Sequence, residues 1–103
     1  MLAECKLALR VTEADYDAEL CALICAAVRD LEIAGVVIPG KVEFSGTEDI
    51  STLTDPLVMR AIITYVRANF GTPPDYEQLN ASYKNQREQL ANATNYTSWD
   101  GDT

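Results

Sequence analysis

Histidine is absent from the 103-residue chain. With it go the usual general base near neutral pH, the Ser–His and Cys–His nucleophile pairs, and every zinc site built on imidazole. Cations are scarce too: eight Lys and Arg stand against sixteen Asp and Glu, a formal net charge of −8. Such a surface does not grip nucleic acid through its phosphates. No apolar run approaches the roughly 18 residues of a membrane span, and there is no Gly-rich phosphate loop, internal repeat or low-complexity tract. Met1 to Lys6 carries a charge of each sign before any apolar stretch develops, unlike a signal or transit peptide. The expectation is a chain kept in the reducing cytosol, which an odd three cysteines fits better than a disulfide framework does.

What is present is the composition of a folded globular protein, 48% hydrophobic and 23% charged. From about 13 to 34, Tyr16, Leu20, Leu23, Ile24, Ala27, Leu31 and Ala34 recur at three- and four-residue steps. Glu13, Asp15, Asp17 and Glu19 lie in the opening turns, where the helix dipole favours them. Thr12 with Asp15 offers an N-cap, and Gly35 a C-terminal stop. A second helix is predicted from 56 to 70, started by Thr54-Asp55-Pro56 and ended by Gly71. A third, from 76 to 96, opens at Asp75 with Gln78. The predicted core is Leu20, Leu23, Ile24, Ala27, Leu31, Leu57, Ile62, Tyr65 and Val66. Leu7 to Thr12 fits either an extended segment or one helical turn.

The Val36–Thr54 segment lacks a helical period. Pro39-Gly40 between two β-branched runs permits a hairpin, and a long ordered loop fits as well. So long a connection in so small a domain suggests contact with a neighbouring subunit or a channel, through Lys41, Val42, Phe44 and Ile50. The last helix has a thin apolar stripe of Tyr76, Leu79, Tyr83 and Leu90 among Asn, Gln and Ser, too thin to bury itself in a small core. Tyr83, Leu90, Tyr96 and Trp99 are therefore read as a docking arm, with the two last aromatics as its anchors.

No constellation carries chemistry. Cys21 and Cys25 share a helix face and could bind a metal with Cys5, but their apolar surroundings read as core packing. Asp15, Asp17 and Glu19 lack the Gly and terminal Glu of a calcium loop. No acid sits in an apolar run that would raise its pKa. No catalytic, cofactor or metal residue is assigned.

The segment DPLVMRAIITYVRANFGTPPDYEQLNASYKNQREQLANATNY, Asp55 to Tyr96, resembles the second half of the small head–tail connector, or adaptor, proteins of long-tailed bacteriophages and prophages. The matching features are the Ala61-Ile62-x-x-Tyr65-Val66 helix ending in Phe70-Gly71, the Pro74-Asp75-Tyr76 break, and Ser82-Tyr83 followed by Leu90 and Tyr96. LRVTEADYDAELCALICAAVRDLEIAGV looks like that family's first long helix, ending in Ala34-Gly35-Val36. The likeness implies one all-α connector domain over 1–103, with a core at about 7–97 and a tail at 98–103. The fold expected is a small three-helix bundle, with a long loop or β-hairpin between its first and second helices and an extended C-terminal arm.

It also implies a structural virion protein without enzymatic activity or cofactor: a homo-oligomeric ring between the portal protein and a tail-side connector or stopper. Such a ring extends the DNA channel and completes the head after packaging. DNA only passes through, no membrane is involved, and the protein occupies the host cytoplasm during assembly. Two alternatives remain at this level: an acidic cytosolic inhibitor or DNA mimic, and a cysteine enzyme, disfavoured because no base is at hand.

Overall fold

The computed structural model describes residues 1–93. In chain order it contains α1 (Leu2–Leu9), a 3₁₀ turn (Ala14–Tyr16), α2 (Asp17–Ile33), β1 (Phe44–Ser45), β2 (Glu48–Asp49), α3 (Pro56–Asn69) and α4 (Tyr76–Asn92). The architecture is mostly helical with one two-stranded antiparallel hairpin, and α1 makes four helices where three are expected from the sequence.

The core is organised around α3. Val58, Ala61, Ile62, Thr64, Val66 and Ala68 are all buried, so this helix is covered on more than one face. It packs against α4, α2 and α1. The small side chains of Ala61, Thr64 and Ala68 let neighbours approach closely, and the Thr64 hydroxyl satisfies itself by donating to the Arg60 carbonyl at 2.9 Å. α2 contributes Leu20, Ile24, Ala27 and Leu31, the stripe read from the sequence. α1 contributes Leu2 and Cys5, and Met1 is buried beside them, so the core begins well before residue 7.

Local signals fix the ends of α3. The Asp55 carboxylate accepts from the Leu57 and Val58 backbone N–H groups at 3.0 and 3.2 Å, with Pro56 at the first position. Gly71 follows its C-terminus with φ 68°, and Gly35 follows α2 with φ 98°. Two expected caps are not made. Thr12 lies before a 3₁₀ turn rather than at a helix start, so α2 begins at Asp17, and the Asp75 side chain makes no cap bond to α4.

Several core assignments need correction. Leu57 is 47% exposed and borders an open cleft between α3 and α4 lined also by Arg60, Gln86, Gln89 and Leu90. Leu23 and Tyr65 are only partly buried against the core. Tyr16 falls in the 3₁₀ turn, off the α2 stripe, and stacks edge-on against Phe70 at 5.3 Å. Ala34, just beyond the last turn of α2, is exposed. Cys25 is exposed while Cys5 and Cys21 are buried, since the buried face of α2 runs through 24 and 27 rather than 25.

Ile24→Ala and Ile62→Ala, at fully buried sites, should each cost about 2–5 kcal/mol in urea denaturation. Leu57→Ala should cost less than about 1 kcal/mol. Equal losses at Leu57 and Ile62 would contradict the packing described.

Candidate assembly surfaces

Of the four residues of the expected docking arm, the two that lie among the described residues are packed within the chain. Tyr83 and Leu90 are 3% and 4% exposed, and the α3–α4 contact is the most extensive between any two elements. A thin stripe suffices because α3 offers it an apolar face and α2 a polar anchor. Asp30 Oδ2 accepts from the Tyr83 hydroxyl and, at 2.8 Å, from Arg87 Nη1. The Arg87 guanidinium lies 5.6 Å from the Tyr83 ring centre, and Tyr65 meets that ring edge-on at 5.1 Å. Tyr83 and Leu90 are therefore buried within the chain. Tyr96 and Trp99 lie outside the described residues.

This tether shifts both acids. Burial works against the Asp30 carboxylate, but hydrogen bonds from Tyr83 and Arg87 prevail and hold its pKa below the usual value. Burial, then the hydrogen bond to Asp30, pushes the Tyr83 phenol well above its usual value.

The segment between α2 and α3 forms a hairpin whose turn is at Gly46-Thr47, not at Pro39-Gly40. Phe44 pairs with Asp49 and Ser45 with Glu48. Pairing continues outward through Ile50 N–H to the Glu43 carbonyl at 3.0 Å and Thr52 N–H to the Lys41 carbonyl at 2.8 Å. Gly40, with φ 113°, lies at the hairpin base, where a Cβ would stand 3.0 Å from the Leu53 Cα. The alternation of strands divides the loop candidates. Val42 and Phe44 turn toward the core, whereas Lys41 and Ile50 face outward.

The hairpin is clamped to α1 by Asp49. Its Oδ2 accepts from the Met1 amino group and, at 2.8 Å, from the Leu2 N–H, and its Oδ1 accepts from the Ser51 N–H at 3.0 Å. Partial burial opposes ionisation here too, yet these donors hold the Asp49 pKa far below the usual range. Nothing in the local sequence marks Asp49, Asp30 or Arg87, because their tethering bonds span 47 to 57 residues of chain.

Burial pushes the Cys5 thiol up to about 12 and raises Cys21 as well, so neither is a thiolate near neutral pH. Among the described residues no cluster of three or more His, Cys, Asp or Glu side chains could hold a metal ion, and no helix is long and apolar enough to cross a membrane. The outer surface instead exposes single large apolar side chains: Leu7 on α1, Ile33 at the end of α2, Val37 and Ile50.

This is a small helical framework whose outward features suit contact rather than chemistry. Residues 1–97 match the family described as phage connector protein, and the chain belongs to that family. No curated protein and no solved structure matches it. The chain is thus a structural connector of a phage particle, in a family of structural proteins rather than enzymes.

The tether has a pH signature. With Asp30 depressed, its stabilisation is complete above about pH 4 and is lost as pH falls through the lower folded value. With Tyr83 raised, stabilisation is complete below about pH 10 and is lost as pH rises toward the folded value. Tyr83→Phe should cost about 1–3 kcal/mol at neutral pH and flatten the alkaline limb in urea melts across pH. An unchanged alkaline limb would contradict the tether.

Proposed function

We propose that this connector forms a homo-oligomeric ring between the portal protein and a tail-side connector or stopper, extends the DNA channel, and completes the head after genome packaging. The observation that carries the reading is the family match over residues 1–97. The protein then acts in the virion at the head–tail interface, after passing through the host cytoplasm during assembly. The net charge of −8 supports passage of DNA without retention, since acids facing a channel offer phosphates nothing to hold. Lys41 and Ile50 are the hairpin residues placed to meet a neighbour or the channel, and Tyr96 and Trp99 are the proposed portal anchors.

The competing reading, a DNA mimic, calls for acids gathered in a phosphate-like array. The exposed acids are instead distributed over α1, the 3₁₀ turn, α2, the hairpin and α4: Glu4, Glu13, Glu19, Glu32, Glu43, Glu48 and Glu88 among them. That distribution favours the connector.

A phage lacking this protein should accumulate DNA-filled heads without attached tails, and purified protein added to the extract should restore infectivity. Normal tailed particles from the deletion would overturn the reading. The double variant Tyr96→Ala/Trp99→Ala should keep its helical circular dichroism, because the core described here lies within residues 1–93. It should enter particles at least about tenfold less well, the loss of one to two aromatic anchors. Normal incorporation would place docking elsewhere.

A further inference from the structure

The cleft between α3 and α4 lies where the chain leaves its last helix. It is lined by Leu57, Arg60, Gln86, Gln89, Leu90 and Ala93. Ala93 is the residue that follows α4, in an extended conformation at φ −88° and ψ 131°. At about 60 Å³ the cleft is far below the roughly 300 Å³ at which small-molecule pockets begin. It suits one inserted side chain.

Its lining is chemically specific. Leu57, Leu90 and Ala93 give it an apolar wall, and Leu57 is half exposed. Gln86 Oε1 is buried and has no hydrogen-bond partner among the described residues. A buried acceptor in that state is costly, so the position calls for a donor. Arg60 is exposed and enters no ion pair among the described residues. No acid is among the described residues that line the cleft: Asp55 accepts from the Leu57 and Val58 amides at the start of α3, and Glu88 is exposed on α4 outside the lining.

The sequence after Ala93, TNYTSWDGDT, carries the complement of each feature. Trp99 brings a large apolar ring whose N–H is a donor and never an acceptor. Asp100 and Asp102 follow it, and the segment has no cation. Reach is sufficient. Gln86 lies seven positions back from Ala93 along α4, about 10 Å of helix, whereas the six residues from Ala93 to Trp99 extend to roughly 20 Å. A side chain on so short a tether acts at a local concentration of roughly millimolar, far above that of a second copy in solution.

We propose that in the free protein residues 94–103 fold back over this cleft. The Trp99 ring packs on Leu57 and Leu90, its indole N–H donates to Gln86 Oε1, and Asp100 and Asp102 meet Arg60. The occupant is thus the chain's own next segment. This contact belongs to the protein before assembly and goes beyond the ring reading. Because Trp99 is also the proposed portal anchor, joining the particle exchanges one partner of that ring for another.

Trp99 is the sole tryptophan, so its fluorescence in the full-length protein reports the contact directly. Its emission should lie to the blue of that of the same protein unfolded in urea, with slower acrylamide quenching, and neither should depend on protein concentration. Leu57→Asp, at an exposed position, should shift the emission to the urea value with helical circular dichroism kept. Gln86→Leu, which removes the acceptor, should speed the quenching. Arg60→Glu should shift the emission to the red, and adding Asp100→Arg/Asp102→Arg should restore it, which keeps the test decisive even where Leu57→Asp disturbs α3.

Emission of the folded parent at the urea value would overturn the contact. A blue emission that survives both Leu57→Asp and Arg60→Glu would place the ring elsewhere and overturn it too. A blue emission that fades on dilution would assign the cleft to a second copy. None of these results bears on the ring reading, which particle assembly tests separately.

Discussion

Burial of α3 is the constraint from which the rest of the structure follows. In a chain this small, one helix placed centrally gives α1, α2 and α4 a common partner, and each then needs only a narrow apolar stripe. Val58, Ile62 and Val66 supply the volume on α3, and Ala61 and Ala68 supply the close approach. α4 shows the consequence most clearly. Its composition would leave it unstable alone, yet two large side chains against α3, with Asp30 bridging Tyr83 and Arg87, fix it.

A fold that closes on itself in this way leaves its periphery free for assembly. The hairpin is held at its outer strand by Asp49 and at its base by Gly40 and Leu53, so Lys41 and Ile50 are displayed on a braced element rather than on a loose loop. Exposed Leu7 on α1 and Ile33 at the end of α2 are displayed on helices packed to the same core. For a protein whose family joins phage components, rigid placement of outward side chains matters more than any cavity or reactive group.

Much of this was legible in the sequence where the signal is local. The α2 stripe, the Asp55-Pro56 start and the glycine stops at 35 and 71 are readable because each depends on neighbours within a turn or two. α1 was not legible as a helix: only Leu2 and Cys5 are fully buried, with Leu9 half-buried, and its end falls on an arginine where glycine would have marked a stop. The hairpin turns at Gly46-Thr47, whereas Gly40, which the sequence offered as a turn beside a long-loop alternative, lies close to Leu53 thirteen residues away. The burial of Tyr83 and Leu90, read from the sequence as part of a docking arm, was hidden for the same reason: it depends on α3, and for Tyr83 also on Asp30 across 53 residues. Lys41 and Ile50 remain outward-facing candidates, whereas Val42 and Phe44 do not.

The central claim is that the helical core is complete in the free chain and that assembly uses only its periphery. Amide hydrogen exchange, compared between the free protein and intact particles, tests this directly. The account predicts that α3 amides from Ala61 to Val66 are the slowest in both states and equally protected, with new protection in particles confined to segments outside that core, the hairpin and the neighbourhood of the proposed anchors Tyr96 and Trp99 among them. Rapid exchange of α3 in the free protein, with protection gained only in the particle, would contradict it.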